Sequence, residues 1–384
     1  MPILTFENGT SSDSSSGSEK ERLSKKYSKT HQILSLIETT VFFAVLLILI
    51  FTCLSKKIES AALGYSSNIY LTLLIFTLIT GILEGIISFP LGFYSDYILE
   101  HRYKLSNQTL KGYFTEKLKG LLIGAVIGIP LLFAFYYILV TFGNNWWIVL
   151  GVFMFTVSVI IGRLAPTLIM PLFYKFKPVE NESLKNRILN LCEKTGIKIQ
   201  GIFTFDMSKN TKKANAAFTG IGKSKRIILG DTLINNFTEE EIEMVFAHEM
   251  GHYSKRHIVK LMITSTILTF AGLYITALLY ESSLSFFGFS GVSQIAALPL
   301  LFLYLSLYSL ITSPLSNIQS RKYEWEADMF ALQTTGDRES FISAMEKLAD
   351  QNLSDKSPNK IIEFLFHSHP SLEKRIQFAR DFTF

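Results

Sequence analysis

His248-Glu249-Met250-Gly251-His252 places two imidazoles and a carboxylate within five residues. On a helix, positions i and i+4 lie one above the other on the same face, so both histidines can aim a ring nitrogen at one metal ion. Glu249 sits beside them, where a carboxylate can take a proton from an attacking water. Two neutral histidines and an oxygen donor suit zinc, so one zinc ion per chain is expected. The plainer reading is a surface helix carrying two solvated histidines.

The flanking residues build a helix suited to the task. Thr238 followed by Glu239-Glu240-Glu241 predicts a capping box with Thr238 as N-cap and Glu241 at the third position. Three carboxylates in the first turn also match the positive end of the helix dipole. Ile242, Met244, Val245 and Phe246 supply an apolar face, and Lys255-Arg256-His257 close the far end with positive charge. The segment is too polar to lie in lipid, unlike the metal helix of an intramembrane protease.

A tetrahedral zinc with one open position needs a third protein ligand. Tyr323-Glu324-Trp325-Glu326-Ala327-Asp328 is the best source. Glu324 and Asp328 share a helix face at i, i+4, while Glu326 points elsewhere. Glu324 is therefore the preferred ligand, Asp328 an orienter of one histidine, and Glu326 the next candidate. An acidic run of this kind is otherwise an ordinary solvated helix face.

Composition supplies the context. Mean hydropathy is +0.30, hydrophobic residues make up 48% of the chain, and 32 of the 384 residues are Phe. That excludes a typical soluble enzyme and predicts a polytopic, mainly α membrane protein. Six segments reach the length needed to span: 33–54, 69–91, 121–142, 146–174, 258–280 and 294–314. The fourth is overlong and interrupted by Arg163, Pro166 and Pro171, so it is expected to leave the bilayer near Arg163 and continue irregularly. Lys and Arg are abundant before the first span, after the second, after the fourth and after the sixth, and sparse in the other loops. The alternation predicts six spans with both termini in the cytoplasm.

On that topology, His252 precedes the fifth span by six residues, about 9 Å if the helix continues, and Glu324 follows the sixth by ten, about 15 Å. The two antiparallel spans thus bring both metal-binding segments to one membrane face. Residues 175–257 and 315–384 are expected to form a cytoplasmic α+β zinc protease domain, interrupted by the hairpin 258–314. Within it, Asn181–Lys194 reads as a helix, and Gly201–Asp206, Ala214–Thr219 and Arg226–Leu229 read as strands, with Gly220 and Gly222 turning between the last two. Ala214–Phe218 is the candidate edge strand for pairing with an extended peptide, with Asn215 and Ala216 contacting substrate. In His367-Ser368-His369-Pro370 one of the two histidines is expected to donate to an oxyanion, and Arg375 to pair with a buried carboxylate such as Asp328.

Other features carry less. The polar tract 9–18 within a tail of residues 1–32 is expected to be disordered. Cys53 and Cys192 are not expected to pair. Of two intramembrane charges, Arg163 is expected to snorkel and Glu84 to line a wet cavity. No nucleic-acid motif is present.

Taken together, Asn215–Gly220, Lys225–Leu233, His248–His252, Tyr323–Asp328 and His369–Arg375 resemble the CAAX prenyl protease 1 family of integral-membrane gluzincins. His101–Thr109 and Pro171–Phe176 add to the likeness, which covers roughly residues 70–384. The resemblance implies a zinc metalloendopeptidase acting on peptides or proteins, prenylated or membrane-associated. It implies His248, His252 and Glu324 as zinc ligands, Glu249 as catalytic base, Asp328 in support, and Asn215 and His369 against substrate. Eukaryotic members have seven spans where six are counted here. That difference favours a bacterial inner membrane over the endoplasmic reticulum, and allows membrane-protein quality control without a prenyl requirement. A catalytically idle membrane scaffold and a transporter are the rival classes.

Overall fold

The computed structural model describes residues 13–219 and 226–384. Helix α1 (Asp13–Phe51) is followed by a short α2 (Leu54–Tyr65), by α3 (Ile69–Phe93), and by a π-turn (Tyr94–Leu99) leading into α4 (Glu100–Arg102). The polar tail expected to be disordered through residue 32 is thus helical from Asp13, while residues 9–12 lie outside the described part. Tertiary contact is the reason: Tyr27 and Leu34 are buried against Leu99 and Leu105, a cluster invisible to local composition.

Helix α5 (Leu110–Phe142) turns through Gly143–Asn145 into α6 (Trp146–Leu164). Gly143 takes a positive φ of 49°, and residues on either side of it, such as Ile138 and Val149, face one another across the hairpin. After α6 the chain does not become irregular as expected. It widens into a π-turn (Ala165–Ile169) around Pro166 and stays helical through α7 (Met170–Phe173). A π-turn removes the need for the hydrogen bond that proline cannot donate.

Five helical runs among the described residues are long and apolar enough to cross a membrane, and the 64-residue run Leu110–Phe173 is the α5–α6–α7 hairpin. Counting the two arms of that hairpin separately, helices of spanning length occupy the six expected segments. Ile86, Leu121, Val126 and Ile311 are each more than two-thirds exposed, as side chains facing lipid would be. Glu84 accepts a hydrogen bond from the Ser88 hydroxyl one turn on.

The polar region begins with β1 (Phe176–Pro178), α8 (Glu182–Thr195), β2 (Gly201–Phe205), β3 (Ala216–Thr219), β4 (Arg226–Gly230) and α9 (Asp231–Asn236). The strands form one sheet in the order β1-β2-β4-β3. Strand β1 was not anticipated, being three residues long and ending at Pro178. The Gly220 and Gly222 turn lies outside the described residues. Helix α10 (Glu239–Ser254) carries the His-Glu-x-x-His residues and opens with the capping box at Thr238 and Glu241. Helices α11 (His257–Ser283) and α12 (Leu298–Thr335) follow, then α13 (Arg338–Gln351), α14 (Lys360–Phe366) and α15 (Leu372–Asp381). Buried residues of α8, the sheet and α10 share one hydrophobic core with Leu332, Phe341, Met345 and Ile376 from the carboxyl-terminal helices. Two chain segments separated by the α11–α12 hairpin therefore make one folded body.

Candidate metal centre and its cleft

Two features bring α10 against α12. The first is a break where a continuous helix was assumed. Arg256 adopts the left-handed conformation (φ 56°), so α10 ends and α11 starts in a new direction. The estimate of depth by helical rise therefore does not hold for His252, although Glu324 does lie on an unbroken α12. The second is Gly251. A Cβ there would stand 2.9 Å from the Cα of Ala327 and 3.1 Å from its carbonyl oxygen. Backbone cannot yield as a flexible side chain would, so only glycine allows the helices to approach this closely.

That approach assembles the site. The Nε2 atoms of His248 and His252 are 3.1 Å apart. Glu324 Oε2 lies 3.4 Å from the first and Glu324 Oε1 3.3 Å from the second. One ligand atom from each residue falls within a mutual 4.8 Å, the spacing a single metal ion requires. Glu324 Oε2 is buried without a hydrogen-bond partner among the described residues. Arg375 Nη1 reaches that oxygen only at 3.7 Å, and a buried carboxylate facing two convergent imidazole nitrogens is a neutral-nitrogen and anionic-oxygen donor set that fits a metal. Without one, burial opposes charging of His248, but its hydrogen bond to Asp328 and the Glu324 carboxylate beside it outweigh burial and raise its pKa to about 9. Metal binding here would release a proton.

Each histidine is held from behind. His248 Nδ1 donates to Asp328 Oδ1 at 2.8 Å. Asp328 is fully buried and gripped by the Arg375 guanidinium, Nη2 to Oδ1 at 2.6 Å and Nε to Oδ2 at 2.8 Å. The two-point geometry fixes the carboxylate plane and so the imidazole. His252 has a support that sequence reasoning missed. Its Nδ1 lies 3.0 Å from His257 Nδ1, and His257 Nε2 lies 2.9 Å from Glu326 Oε2. His257 is buried and stacked on the Tyr323 ring, with centroids 4.3 Å apart. Glu326 thus faces His257 instead of the metal position, and His257 is more than a basic helix end. Its signal was the spacing from His252, readable only with the α10–α11 break in hand.

The metal position opens into a cavity of about 570 Å³ lined by Glu249, Asn215, Ala216, Asn352 and His369, together with Tyr27 of α1. His369 Nε2 lies 3.3 Å from Glu324 Oε1, and its side chain is largely exposed to the cavity. Arg321 of α12 donates to the carbonyls of Glu363 and His367, at 3.0 and 2.6 Å, and so holds the loop that carries His369. Strand β3 is an edge strand, so Ala216 presents backbone groups to this space.

A three-donor metal position on a His-Glu-x-x-His helix, built at the end of a bundle of spanning helices, defines a membrane metallopeptidase. Residues 178–383 match the model of peptidase family M48, and residues 14–175 match that of the CAAX prenyl protease N-terminal region with five membrane helices. The chain belongs to peptidase family M48 and is an integral-membrane metalloprotease. It is 32% identical over 313 residues to CAAX prenyl protease 1 of Saccharomyces cerevisiae, covering 77% of this chain and 69% of that protein. It is 29% identical over 377 residues to an uncharacterized metalloprotease, YhfN, of Bacillus subtilis, covering 97% and 88%. The crystal structure of Saccharomyces mikatae Ste24p superposes with a TM-score of 0.85 at 29% identity, covering 95% of this chain and 89% of the other.

Proposed function

We propose that this metalloprotease is a zinc endopeptidase that cleaves membrane-associated polypeptides at a site facing the cytoplasm. The observation that carries the reading is the convergence of His248 Nε2, His252 Nε2 and the buried Glu324 carboxylate on one point. Zinc bound there would polarise the scissile carbonyl and make water a better nucleophile at neutral pH. Asp328 with Arg375, and His257 with Glu326, keep the two imidazoles aimed. Glu249, lining the cavity beside them, takes the water proton as the water oxygen bonds to the carbonyl carbon. It then returns that proton to the amine as the carbon–nitrogen bond breaks. His369 donates to the oxyanion, and Asn215 and Ala216 hold the extended peptide along β3. The name borne by the yeast relative supports prenylated chains as substrates. Membrane-protein quality control without a prenyl group is the reading to separate from it.

Purified protein should carry one zinc per chain and cleave an extended peptide, and removal of zinc by a chelator should abolish cleavage until zinc is restored. Cleavage that persists after metal is measurably gone would end the proposal. Paired peptides with and without a carboxyl-terminal prenyl group then separate the two substrate classes.

The orientation has its own test. Single cysteines at Glu19, Asn144, Ser285 and Arg380, in a chain lacking Cys53 and Cys192, should divide cleanly under a membrane-impermeant thiol reagent. Positions 144 and 285 should label on intact cells, and 19 and 380 only after lysis. Labelling of position 19 from outside, with 380 protected, would require an odd number of spans.

A further inference from the structure

The free edge of β3 does not run open along its whole length. Strand β3 pairs with β4 in antiparallel register, Ala216 opposite Leu229 and Ala217 opposite Ile228. Just before the strand, Gly230 N donates to Asn215 O at 2.9 Å, so Asn215 turns its backbone groups toward β4. Alternate residues of an antiparallel strand face alternate sides. Ala214 and Ala216 therefore turn theirs toward the cavity.

At Ala214 those groups are already taken. Its N–H donates to Asn352 Oδ1 at 2.9 Å, and the Asn352 Nδ2 donates back to its carbonyl at 3.3 Å. Two residues further out, Gln351 Nε2 donates to the Lys212 carbonyl at 2.7 Å. The end of α13 thus takes the place of a neighbouring strand, with side-chain amides in the role of peptide groups. The backbone is bent to do this. Leu353 adopts a left-handed conformation (φ 49°) where glycine is usual after a helix, and its side chain is packed on Tyr27, Leu99 and Leu105. Non-glycine residues in this region carry strain that persists only where surroundings impose it.

We propose that Asn352 is a specificity-determining residue that closes the substrate-pairing edge at Ala214 and so limits how far the peptide extends past Ala216. The inference rests on the reading of β3 as the substrate edge. An extended substrate pairs in its first open register opposite Ala216, and its second residue beyond that meets the Asn352 amide. For a chain antiparallel to β3, the blocked side is the carboxyl-terminal one. Asn352 thus limits pairing on that side of the peptide and leaves the amino-terminal side free to extend along β3.

Two peptide series test this, one lengthened on the amino side of the scissile bond and one on the carboxyl side, with products identified by mass spectrometry. For the wild type, kcat/KM should hold through the first series and fall by about tenfold or more once the second passes a fixed length, the loss expected for one or two forfeited hydrogen bonds. Asn352→Ala should flatten that fall, and hydrogen exchange at the Ala214 amide should rise in the variant. Asn352→Asp, which keeps the acceptor and loses the donor, gives an intermediate profile and covers the case in which the alanine variant folds poorly. Equal tolerance of both series by the wild type, or an unchanged length profile in an active Asn352→Ala enzyme, overturns the proposal while leaving the peptidase reading intact. Loss of all cleavage with zinc bound in the wild type would instead remove the peptidase reading itself.

Discussion

Replacing Glu249 by Gln should lower peptide cleavage by about 10²–10⁴-fold or more, with zinc content and thermal stability unchanged. General-base catalysis alone typically contributes that range, and here the same carboxylate also delivers the proton to the leaving amine. Glu249 is only partly buried and lines the cavity without supporting the packed α10–α12 contact. The amide occupies the same volume but cannot accept the proton. Turnover under saturating peptide, measured beside metal content, decides the matter. A variant that keeps a tenth of wild-type turnover would remove Glu249 from the chemistry.

The second large effect is expected at Glu324. Glu324→Ala leaves two protein ligands where zinc sites use at least three, so zinc per chain should fall toward zero after dialysis. Cleavage should fall with it by about 10³-fold, since the lost Lewis acid is worth several kcal/mol. Glu326→Ala is the matched control. Because Glu326 contacts His257, its removal should preserve zinc stoichiometry in excess metal while weakening retention against a chelator by about 10–100-fold. Zinc lost from Glu326→Ala and kept by Glu324→Ala would exchange the two carboxylates in the assignment.

The contrast between these neighbouring acids shows what a local pattern can and cannot decide. Spacing on α12 puts Glu324 and Asp328 on one face, and both prove buried beside His248. The same spacing says only that Glu326 points elsewhere. Its partner is His257, which lies at the start of α11 and reaches His252 because Arg256 breaks the helix between them. Similarly, residues 13–32 look unstructured by composition. They are helical because Tyr27 and Leu34 are buried against residues some 70 positions away.

The sequence by itself determined what depends on near neighbours and on solvent. The capping box, the pairing of His248 with His252 on one helix face and the six apolar lengths all follow from periodicity, side-chain chemistry and the cost of apolar surface in water. Only the tertiary structure decided what depends on two distant segments meeting. Gly251 admits the Ala327 backbone at a distance any Cβ would forbid, Glu326 meets His257 across 69 residues, and Asn352 completes a strand edge 138 residues earlier. Such contacts are set by packing geometry, and a single residue's identity carries no trace of the partner until the chain has folded.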